Sequence, residues 1–280
     1  MANHTEDLLS HGTLLFIPAY NCEAQIPRVI DQIDAEVQEV IDEVVVIENR
    51  STDGTLEAAR SALEGLPTGI KRTLIQNTEN YSLGGSIKHA ILYGLENGYQ
   101  NLIVLHGDDQ ADVRDMLPAF REGVVASNDL VVGARFHKDS RLQGYSWFRI
   151  FGNRVLGGVF GLVVRRRIDD LIAGLNVFRL EFFENREFLN YPNNLTFDAH
   201  VLLDACDRKS RITFVPITWR EEDQVSNAKT IKQGWTILKL VLSYGVRRRA
   251  ALEGNKSGRP AGFNYPGEVV YTADAESEHR

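Results

Sequence analysis

Hydrophobic residues in the first half of the chain follow two alternating spacings. Short apolar runs predict five strands, and longer segments between them carry apolar residues at helical spacing. The predicted strands are Thr13–Pro18, Glu43–Ile47, Lys71–Ile75, Asn101–Leu105 and Asp129–Gly133, and the predicted helices are Ala24–Val40, Asp53–Leu66, Gly84–Asn97 and Val113–Ala126. Because the strands are apolar throughout, the pattern indicates an α/β fold with a mostly parallel sheet covered by helices on both faces.

The second half of the chain is less regular. A long helical stretch reaches Phe160, and the elements expected after it are a strand or hairpin at Val163–Ile168, a strand at Leu175–Phe178, a helix at Thr196–Arg208, a strand at Arg211–Trp219 and an amphipathic helix at Ile231–Arg249. The predicted organisation is therefore a polar N-terminal extension (1–12), a main α/β domain (13–228), a C-terminal helix (229–252) and a loosely held tail (253–280).

Composition narrows the functional classes. Of the 280 residues, 43% are hydrophobic and 25% charged, which is typical of a soluble globular protein. The net charge of -7 argues against a nucleic-acid-binding surface. Two distant cysteines, Cys22 and Cys206, fit a reducing compartment. Because no signal peptide or uninterrupted run of roughly 20 apolar residues is visible, we expect a cytoplasmic protein without a transmembrane helix.

The segment His106-Gly107-Asp108-Asp109-Gln110, directly after the fourth predicted strand, has the highest density of potential metal ligands. Ligands of open parallel sheets bind beyond the carboxyl ends of strands, where the strand order reverses. If the first and fourth strands are neighbours, this segment meets Pro18–Asn21 there. In an extended chain the side chains of His106, Asp108 and Gln110 lie on one face. Their imidazole, carboxylate and amide groups are suitable ligands for Mn²⁺, and the carboxylate together with a diphosphate is suitable for Mg²⁺. The alternative is a polar turn that caps the next helix.

Two other polar segments are candidates for the same edge of the sheet. Glu48 ends the second strand and could accept a hydrogen bond from a base or ribose. Asn80, Gly84 and Gly85 lead into a helix that carries Lys88. Paired glycines allow a ligand to approach the backbone closely, although they also occur in plain turns.

These segments together resemble family 2 glycosyltransferases. The resemblance covers roughly residues 13–220 and rests on four motifs in the family's order: Leu15–Glu23, Val46–Thr55, Asn80–Gly85 and Val104–Gln110. Within the family, the chain is most similar to the polyprenyl-phosphate (dolichol-phosphate mannose synthase-like) transferases. The resemblance implies a GT-A fold, a nucleotide-diphosphate sugar donor, Mn²⁺ or Mg²⁺, and inverting transfer to a polyprenyl-phosphate or glycan acceptor.

Donor and metal residues follow from the matching motifs. The expected donor-binding residues are Pro18, Ala19, Tyr20, Glu23, Glu48, Asn80, Gly84, Gly85, Lys88, Gly107 and Arg135. Asp108, also a catalytic candidate, matches the second Asp of the family's Asp-x-Asp motif, and Gln110 matches a further metal-side residue. His106 replaces the first Asp, and because imidazole is neutral and softer than carboxylate, this replacement leaves the metal preference open.

The acceptor side is less regular. Guanidinium groups hold phosphates by their fork geometry, and the expected acceptor or phosphate residues are Arg149, Asn153, Arg154 and Arg165. A hydroxyl acceptor needs a general base, whereas a phosphate is already an anion. Candidates for a base, in order, are Asp170, Asp198 and His200, the last standing where the family commonly has Glu. A structural role is the alternative for each.

The sequence leaves two alternative functions and a membrane partner undecided. The replacement by His106 allows a catalytically idle sugar-nucleotide-binding or scaffold protein. A sugar nucleotidyltransferase typically has a Gly-rich basic loop directly after the first strand. Pro18–Asn21 occupies that place here, which argues against this function. The helix at Ile231–Arg249 ends in three arginines, so it either packs on the domain or makes peripheral contact with anionic lipid at the inner face of the membrane.

Overall fold

The computed structural model describes residues 12–67, 69–171, 173–221 and 230–275. The strands in chain order are β1 (Thr13–Ala19), β2 (Glu43–Glu48), β3 (Lys71–Asn77), β4 (Asn101–Leu105), β5 (Leu130–Ala134), β6 (Arg141–Gln143), β7 (Leu175–Arg179), β8 (Ile212–Pro216), β9 (Thr218–Arg220) and β10 (Gly267–Ala273). The helices are α1 (Ile26–Ile30), α2 (Ala35–Gln38), α3 (Thr55–Gly65), α4 (Ser82–Glu96), α5 (Leu117–Arg121), α6 (Val124–Ser127), α7 (Trp147–Val164), α8 (Phe197–Asp207) and α9 (Thr230–Arg247).

Eight strands form one sheet in the order β10-β3-β2-β1-β4-β7-β5-β8, and β6 pairs with β9 in a small second sheet. The pairs β1–β2, β2–β3, β1–β4 and β5–β8 are parallel, whereas β7 and β10 run antiparallel to their neighbours. Every residue of β2 and β4 is buried, because helices cover both faces. The predicted α/β fold with a mostly parallel sheet is confirmed.

The strand order reverses between β1 and β4. β1 pairs with β2 on one side and with β4 on the other, so the loops that follow β1 and β4 leave the sheet side by side. The N–H of Gly107 donates to the carbonyl of Pro18 at 3.2 Å. A Cβ at position 107 would lie 2.7 Å from that carbonyl oxygen, so only glycine allows this approach.

Several predicted elements are wrong in their extent. Val163–Ile168 is not a strand or hairpin, because α7 continues to Val164 and ends at Arg165 in the left-handed conformation (φ 57°). The expected strand Arg211–Trp219 is divided into β8 and β9, which belong to different sheets. The expected helix Ala24–Val40 is divided into α1 and α2, since the side chain of Asp34 caps α2.

The C-terminal segment differs most from expectation. Residues 253–275 are not a loosely held tail: β10 extends the sheet antiparallel to β3, and Tyr265 before it is fully buried. The Tyr265 hydroxyl accepts a hydrogen bond from Lys88 Nζ at 3.1 Å and donates to Asn193 at 2.6 Å. The abundant glycine of this segment serves turns instead, as in Gly258 with φ of 71°. Residues 1–11 of the expected N-terminal extension lie outside the described ranges.

The buried Tyr265 gives a test of this packing. Tyr265→Ala removes ring contacts with Tyr81 and Phe263 at centroid distances of 5.3 and 5.0 Å, so we expect the free energy of unfolding to fall by about 3–5 kcal/mol. Tyr265→Phe keeps the ring and should cost about 1–2 kcal/mol. Urea unfolding of the full chain measures both, with exposed Val269→Ala as the control. An equal loss in Tyr265→Ala and the control would show that the segment does not belong to the cooperative fold.

Candidate active site

A cavity of about 710 Å³ opens where the strand order reverses. Its walls come from the ends of β1, β2 and β4, the start of α4, the loop before α8, β9, and the first turns of α7 and α9. Residues far apart in sequence meet here. Ten predicted site residues line the cavity: Pro18, Ala19, Tyr20, His106, Gly107, Asp108, Gln110, Arg135, Arg149 and Asn153.

The polar side chains of the loop after β4 point in two different directions. His106, Asp108 and Gln110 line the cavity, as their alternation predicts. Asp109 has a left-handed backbone (φ 58°) and lies on the other side, where its carboxylate is 2.8 Å from Arg28 and 3.0 Å from Arg220. Asp109 therefore anchors the loop, and its neighbours are left for a ligand.

Burial shifts the pKa values of His106 and Asp108, the two titratable groups of this loop that line the cavity. Nε2 of His106 is buried without a hydrogen-bond partner in the described part of the chain. Burial lowers the pKa of His106, although the nearby Asp108 opposes the shift, so the imidazole is neutral at neutral pH. Burial likewise raises the pKa of Asp108, against an opposing effect of His106. A neutral imidazole with an unpaired nitrogen is the form that binds metals.

The side chains of this loop suit a divalent cation that the protein coordinates only in part. Among the described residues, no group of three or more His, Cys, Asp or Glu side chains surrounds a common point. The loop offers one carboxylate (Asp108), one amide oxygen (Gln110) and one unpaired imidazole nitrogen (His106). Mg²⁺ and similar ions are often held by one or two carboxylates together with substrate phosphates. These residues therefore fit a cation that is shared with a bound diphosphate.

Arg135 is held rigidly at the back of the cavity. Its Nε and a terminal nitrogen donate to the two oxygens of Asp170, each at 2.8 Å, and the guanidinium lies 4.9 Å from the ring centroid of Trp219. Asp170 also accepts from the backbone N–H of Leu171. The structure thus places Asp170 behind Arg135 and outside the cavity lining, although the sequence ranks it first among the base candidates. A carboxylate engaged in this way positions the arginine.

Arg149 stands at the cavity wall formed by α7. Its terminal nitrogen is 2.7 Å from both carboxylate oxygens of Glu221, and its guanidinium lies 4.6 Å from the ring centroid of Tyr145. Nδ2 of Asn153, one turn along the helix, donates to the Tyr145 hydroxyl at 3.2 Å. Arg154 and Arg165 are exposed outside the lining, so only two of the four predicted acceptor residues lie there.

Glu23 and Glu48 hold loops instead of lining the cavity. Glu23 accepts a hydrogen bond from the backbone N–H of Gly54 at 3.0 Å. Glu48 is fully buried and accepts from the backbone N–H of Ser51. The two carboxylates therefore fix the loop that follows β2. Both residues lie outside the cavity lining, whereas the motifs predict direct contacts with the donor.

The segment around the start of α4 is likewise occupied by internal contacts. A Cβ at Gly84 would lie 2.7 Å from that of Phe197, and a Cβ at Gly85 would lie 2.5 Å from that of Tyr81. The glycines thus allow close packing of chain on chain, and both lie outside the cavity lining, where the sequence suggests close approach of a ligand. Asn80 accepts from the side chain of Asn49 at 3.0 Å, outside the lining.

Lys88 is also outside the cavity, although the sequence suggests a donor contact. Its ammonium group is buried and donates to the carbonyls of Leu189 and Tyr191, to Asn193 and to Tyr265. Burial lowers the pKa of Lys88 to about 7. Lys88 therefore joins α4 to the loop before α8 and to the C-terminal segment.

Asp198 and His200 are buried in α8, and neither lines the cavity. Oδ1 of Asp198 lacks a hydrogen-bond partner among the described residues, and burial raises its pKa to about 7. Nδ1 of His200 lies 2.9 Å from the carbonyl oxygen of Thr196, and burial lowers the pKa of His200 to about 4. Their positions favour structural roles over that of a general base.

Some lining residues were not predicted. Asn49, Tyr145 and Trp219 line the cavity. Asn49 belongs to the same motif as Glu48, Val46–Thr55, so the sequence does contain a signal for it. Trp219 is the last residue of the expected strand Arg211–Trp219 and had no signal of its own, because its place depends on the pairing of β9 with β6.

The buried Asp198 gives a pH-dependent prediction. Between its ordinary pKa of 3.8 and about 7, the folded chain keeps a proton that the unfolded chain has lost, so this carboxyl increasingly lowers stability as the pH rises through that range. Asp198→Asn cannot ionise. We expect its stability advantage over the native chain to grow from pH 4 to pH 7, reaching at most ~4 kcal/mol.

Chemical unfolding at a series of pH values measures this difference. The effect of His200 has the opposite sign in the same range, but it is common to both proteins and cancels. The exposed Asp31→Asn serves as the matched control and should show no such trend. A constant difference between Asp198→Asn and the native chain would contradict an ionising, unpaired Asp198.

Comparisons with known proteins agree with this arrangement. A family model described as glycosyl transferase family 2 matches residues 15–187. The polyprenol monophosphomannose synthase of Mycolicibacterium smegmatis is 21% identical over 235 residues, which are 84% of this chain and 78% of that protein. The dolichol-phosphate mannosyltransferase of Pyrococcus furiosus is 23% identical over 207 residues, which are 73% of this chain, and the match spans about half (55%) of that protein.

A solved structure is also similar. Glucosyl-3-phosphoglycerate synthase from Mycobacterium tuberculosis, crystallised with Mn²⁺, uridine-diphosphate-glucose and glycerol 3-phosphate, superposes with a TM-score of 0.57 at 15% identity, over 87% of this chain and 82% of that chain. This likeness confirms the GT-A fold. Since the family model covers more than half of the chain, the protein belongs to glycosyltransferase family 2 and is a glycosyltransferase.

Proposed function

We propose that the protein transfers a sugar, with inversion, from a nucleoside-diphosphate sugar to a polyprenyl phosphate, and that the transfer requires Mn²⁺ or Mg²⁺. The donor occupies the cavity between the ends of β1, β2 and β4. The acceptor approaches from the side of α7 and α9. Cys22 and Cys206, both free thiols, fit a cytoplasmic site of action.

A single observation carries the choice of a phosphate acceptor over a glycan. Among the described residues that line the cavity, Asp108 is the only carboxylic acid, and it belongs to the metal-binding loop. The other base candidates, Asp170, Asp198 and His200, are outside the lining. A sugar hydroxyl needs a base to remove its proton, whereas a phosphate attacks as an anion without one. Apart from Asp108, the described lining contains no carboxylate, and the neighbouring Glu221 is paired with Arg149, so the cavity favours an acceptor that is already ionised.

The donor end of the cavity suits a diphosphate. Asp108, Gln110 and His106 would hold the cation, which when bound neutralises the leaving diphosphate. Arg135 supplies a fixed positive charge in a buried site, where an electrostatic interaction is stronger than in water. Because Asp170 and the Trp219 ring hold the guanidinium in place, it needs no reorganisation during the reaction. Tyr20 and Asn49 lie beside this end and are available to the nucleoside.

The acceptor end of the cavity offers a second positive charge. Arg149 lies at the wall of α7, where Glu221 pairs with it. An acceptor phosphate can replace this carboxylate, because phosphate and carboxylate bind guanidinium in the same fork geometry. The relatives named above as polyprenol and dolichol-phosphate mannose transferases support this acceptor class. The Mn²⁺ and nucleotide sugar in the similar crystal structure support the donor and the metal.

Paired substitutions at neighbouring aspartates test this function. Asp108→Asn should abolish Mn²⁺-dependent stabilisation by nucleoside-diphosphate sugars and lower the transfer rate at least ~100-fold, because the carboxylate ligand is lost. Asp109→Asn is the matched control. It weakens the ion pairs with Arg28 and Arg220 and so lowers the melting temperature, but it should keep metal-dependent donor binding.

The measurements are a thermal-shift panel of nucleoside diphosphates and their sugars, with and without Mn²⁺, and transfer of labelled sugar to a short-chain polyprenyl phosphate. Binding of a nucleotide sugar without any transfer or donor hydrolysis would support the alternative of an idle sugar-nucleotide-binding protein. No stabilisation by any nucleotide would contradict the donor assignment itself.

A further inference from the structure

Exposed large apolar side chains are concentrated on two helices. Of the ten such side chains in the described part of the chain, eight belong to α7 and α9: Trp147, Phe148, Phe151, Val155, Leu162, Trp235, Leu242 and Val246. Trp147 is 76% exposed and Leu162 80%. Isolated exposed apolar residues are normal, but such a concentration marks an interaction surface.

The exposed residues form a stripe on each helix. On α9, Trp235, Lys239, Leu242 and Val246 follow the spacing i, i+4, i+7 and i+11, which places them on one face. The opposite face, with Val241, is buried. On α7 the exposed positions recur at similar intervals, and two exposed glycines lie among them. Each helix thus packs with one face on the protein and presents the other to the surroundings.

Both stripes begin at the mouth of the cavity. Asn153 from the first half of α7 and Ile237 from the first half of α9 line the same cavity. Near the far ends of the helices, Arg248 donates to the carbonyl of Val163 at 3.3 Å. The two helices therefore run side by side in the same direction, starting at the cavity.

The charge of these helices is opposite to that of the chain. Neither α7 nor α9 contains an aspartate or glutamate, whereas the whole chain has a net charge of -7. Exposed cations accompany the apolar stripes: Arg154 on α7, Lys239 on α9, and Arg165, Arg247 and Arg248 at the helix ends. Tryptophan and phenylalanine next to lysine and arginine, with no acidic residue, are the composition of surfaces that bind anionic lipid.

We propose that the exposed faces of α7 and α9 dock on an anionic membrane, so that the cavity opens at the lipid surface. This inference rests on the proposed function, since a polyprenyl phosphate is itself anchored in a membrane. It extends the contact surface from the C-terminal helix, which the sequence indicates, to α7. The aromatic side chains enter the headgroup region, and the cations bind lipid phosphates.

The helices lie on the membrane and do not cross it. By length and composition α7 is able to span a bilayer, with 18 residues of mean hydropathy 1.2, whereas from the sequence we expect no transmembrane helix. In the folded domain, however, α7 contributes Arg149 and Asn153 to the cavity and packs along α9. Spanning would move these polar groups and the ion pair with Glu221 into hydrocarbon, which is unfavourable.

Co-sedimentation of the full chain with vesicles tests the docking. We expect the chain to bind vesicles that contain phosphatidylglycerol, to bind phosphatidylcholine vesicles much more weakly, and to lose affinity as salt is added. Trp147→Ser combined with Phe151→Ser should lower partitioning about tenfold or more, and so should Trp235→Ser combined with Leu242→Ser. Both pairs are exposed, so thermal unfolding should show a folded protein.

Matched controls lie on other surfaces. Val269→Ser on β10 removes an exposed apolar side chain, and Arg60→Glu on α3 reverses an exposed charge. Neither should change vesicle binding, whereas Lys239→Glu should weaken it. Equal binding of all variants, or no binding to anionic vesicles, overturns the docking. Retention of the chain on vesicles after an alkaline carbonate wash would also overturn the docking, because it indicates a spanning helix. A concentration-dependent dimer of the native chain that is lost in the two double variants with a substituted tryptophan would overturn it too, because it assigns the face to a second copy.

Failure of the docking and failure of the proposed function are distinguishable. Donor binding and transfer to a water-soluble, short-chain polyprenyl phosphate need no vesicle, and the tryptophan variants should keep both. If these activities persist without vesicle binding, only the docking is overturned. If they are absent from the native chain, the proposed function fails, whatever the vesicles show.

Discussion

The parallel pairing of β1 with β4 is the constraint on which the site depends. It reverses the strand order and places the loops after the two strands side by side, with Gly107 in contact with the carbonyl of Pro18. The loop that carries His106, Asp108 and Gln110 thereby lies next to the loop that carries Tyr20. A side chain at position 107 would separate the two loops.

The polar residues of the family motifs divide into two groups with different physical tasks. His106, Asp108 and Arg135 face the cavity. Glu48 accepts from the backbone N–H of Ser51 and holds the loop after β2, whereas Asp170 pairs with Arg135 and holds its guanidinium at the cavity. Burying a charge is costly unless it is paired, so loss of Asp170 would leave Arg135 buried without its ion pair.

The two ends of the cavity meet different environments. The end that we propose for the donor is enclosed by the sheet and its loops, where a low dielectric would strengthen the interaction of Arg135 with a phosphate. The acceptor end is formed by α7 and α9, whose outer faces are apolar and basic. Under the proposed function, the donor would reach the cavity from water and the lipid-linked acceptor from the side of α7 and α9.

The sequence by itself determined the α/β class, the strands of the first half and the common direction of His106, Asp108 and Gln110. These features depend on local periodicity, which the neighbouring residues set. Only the tertiary structure decided that Asp170 supports Arg135, that Lys88 binds Tyr265 and that the C-terminal segment joins the sheet. Those outcomes depend on partners 35 and 177 positions away, and nothing in a local pattern specifies which distant group will meet a buried charge.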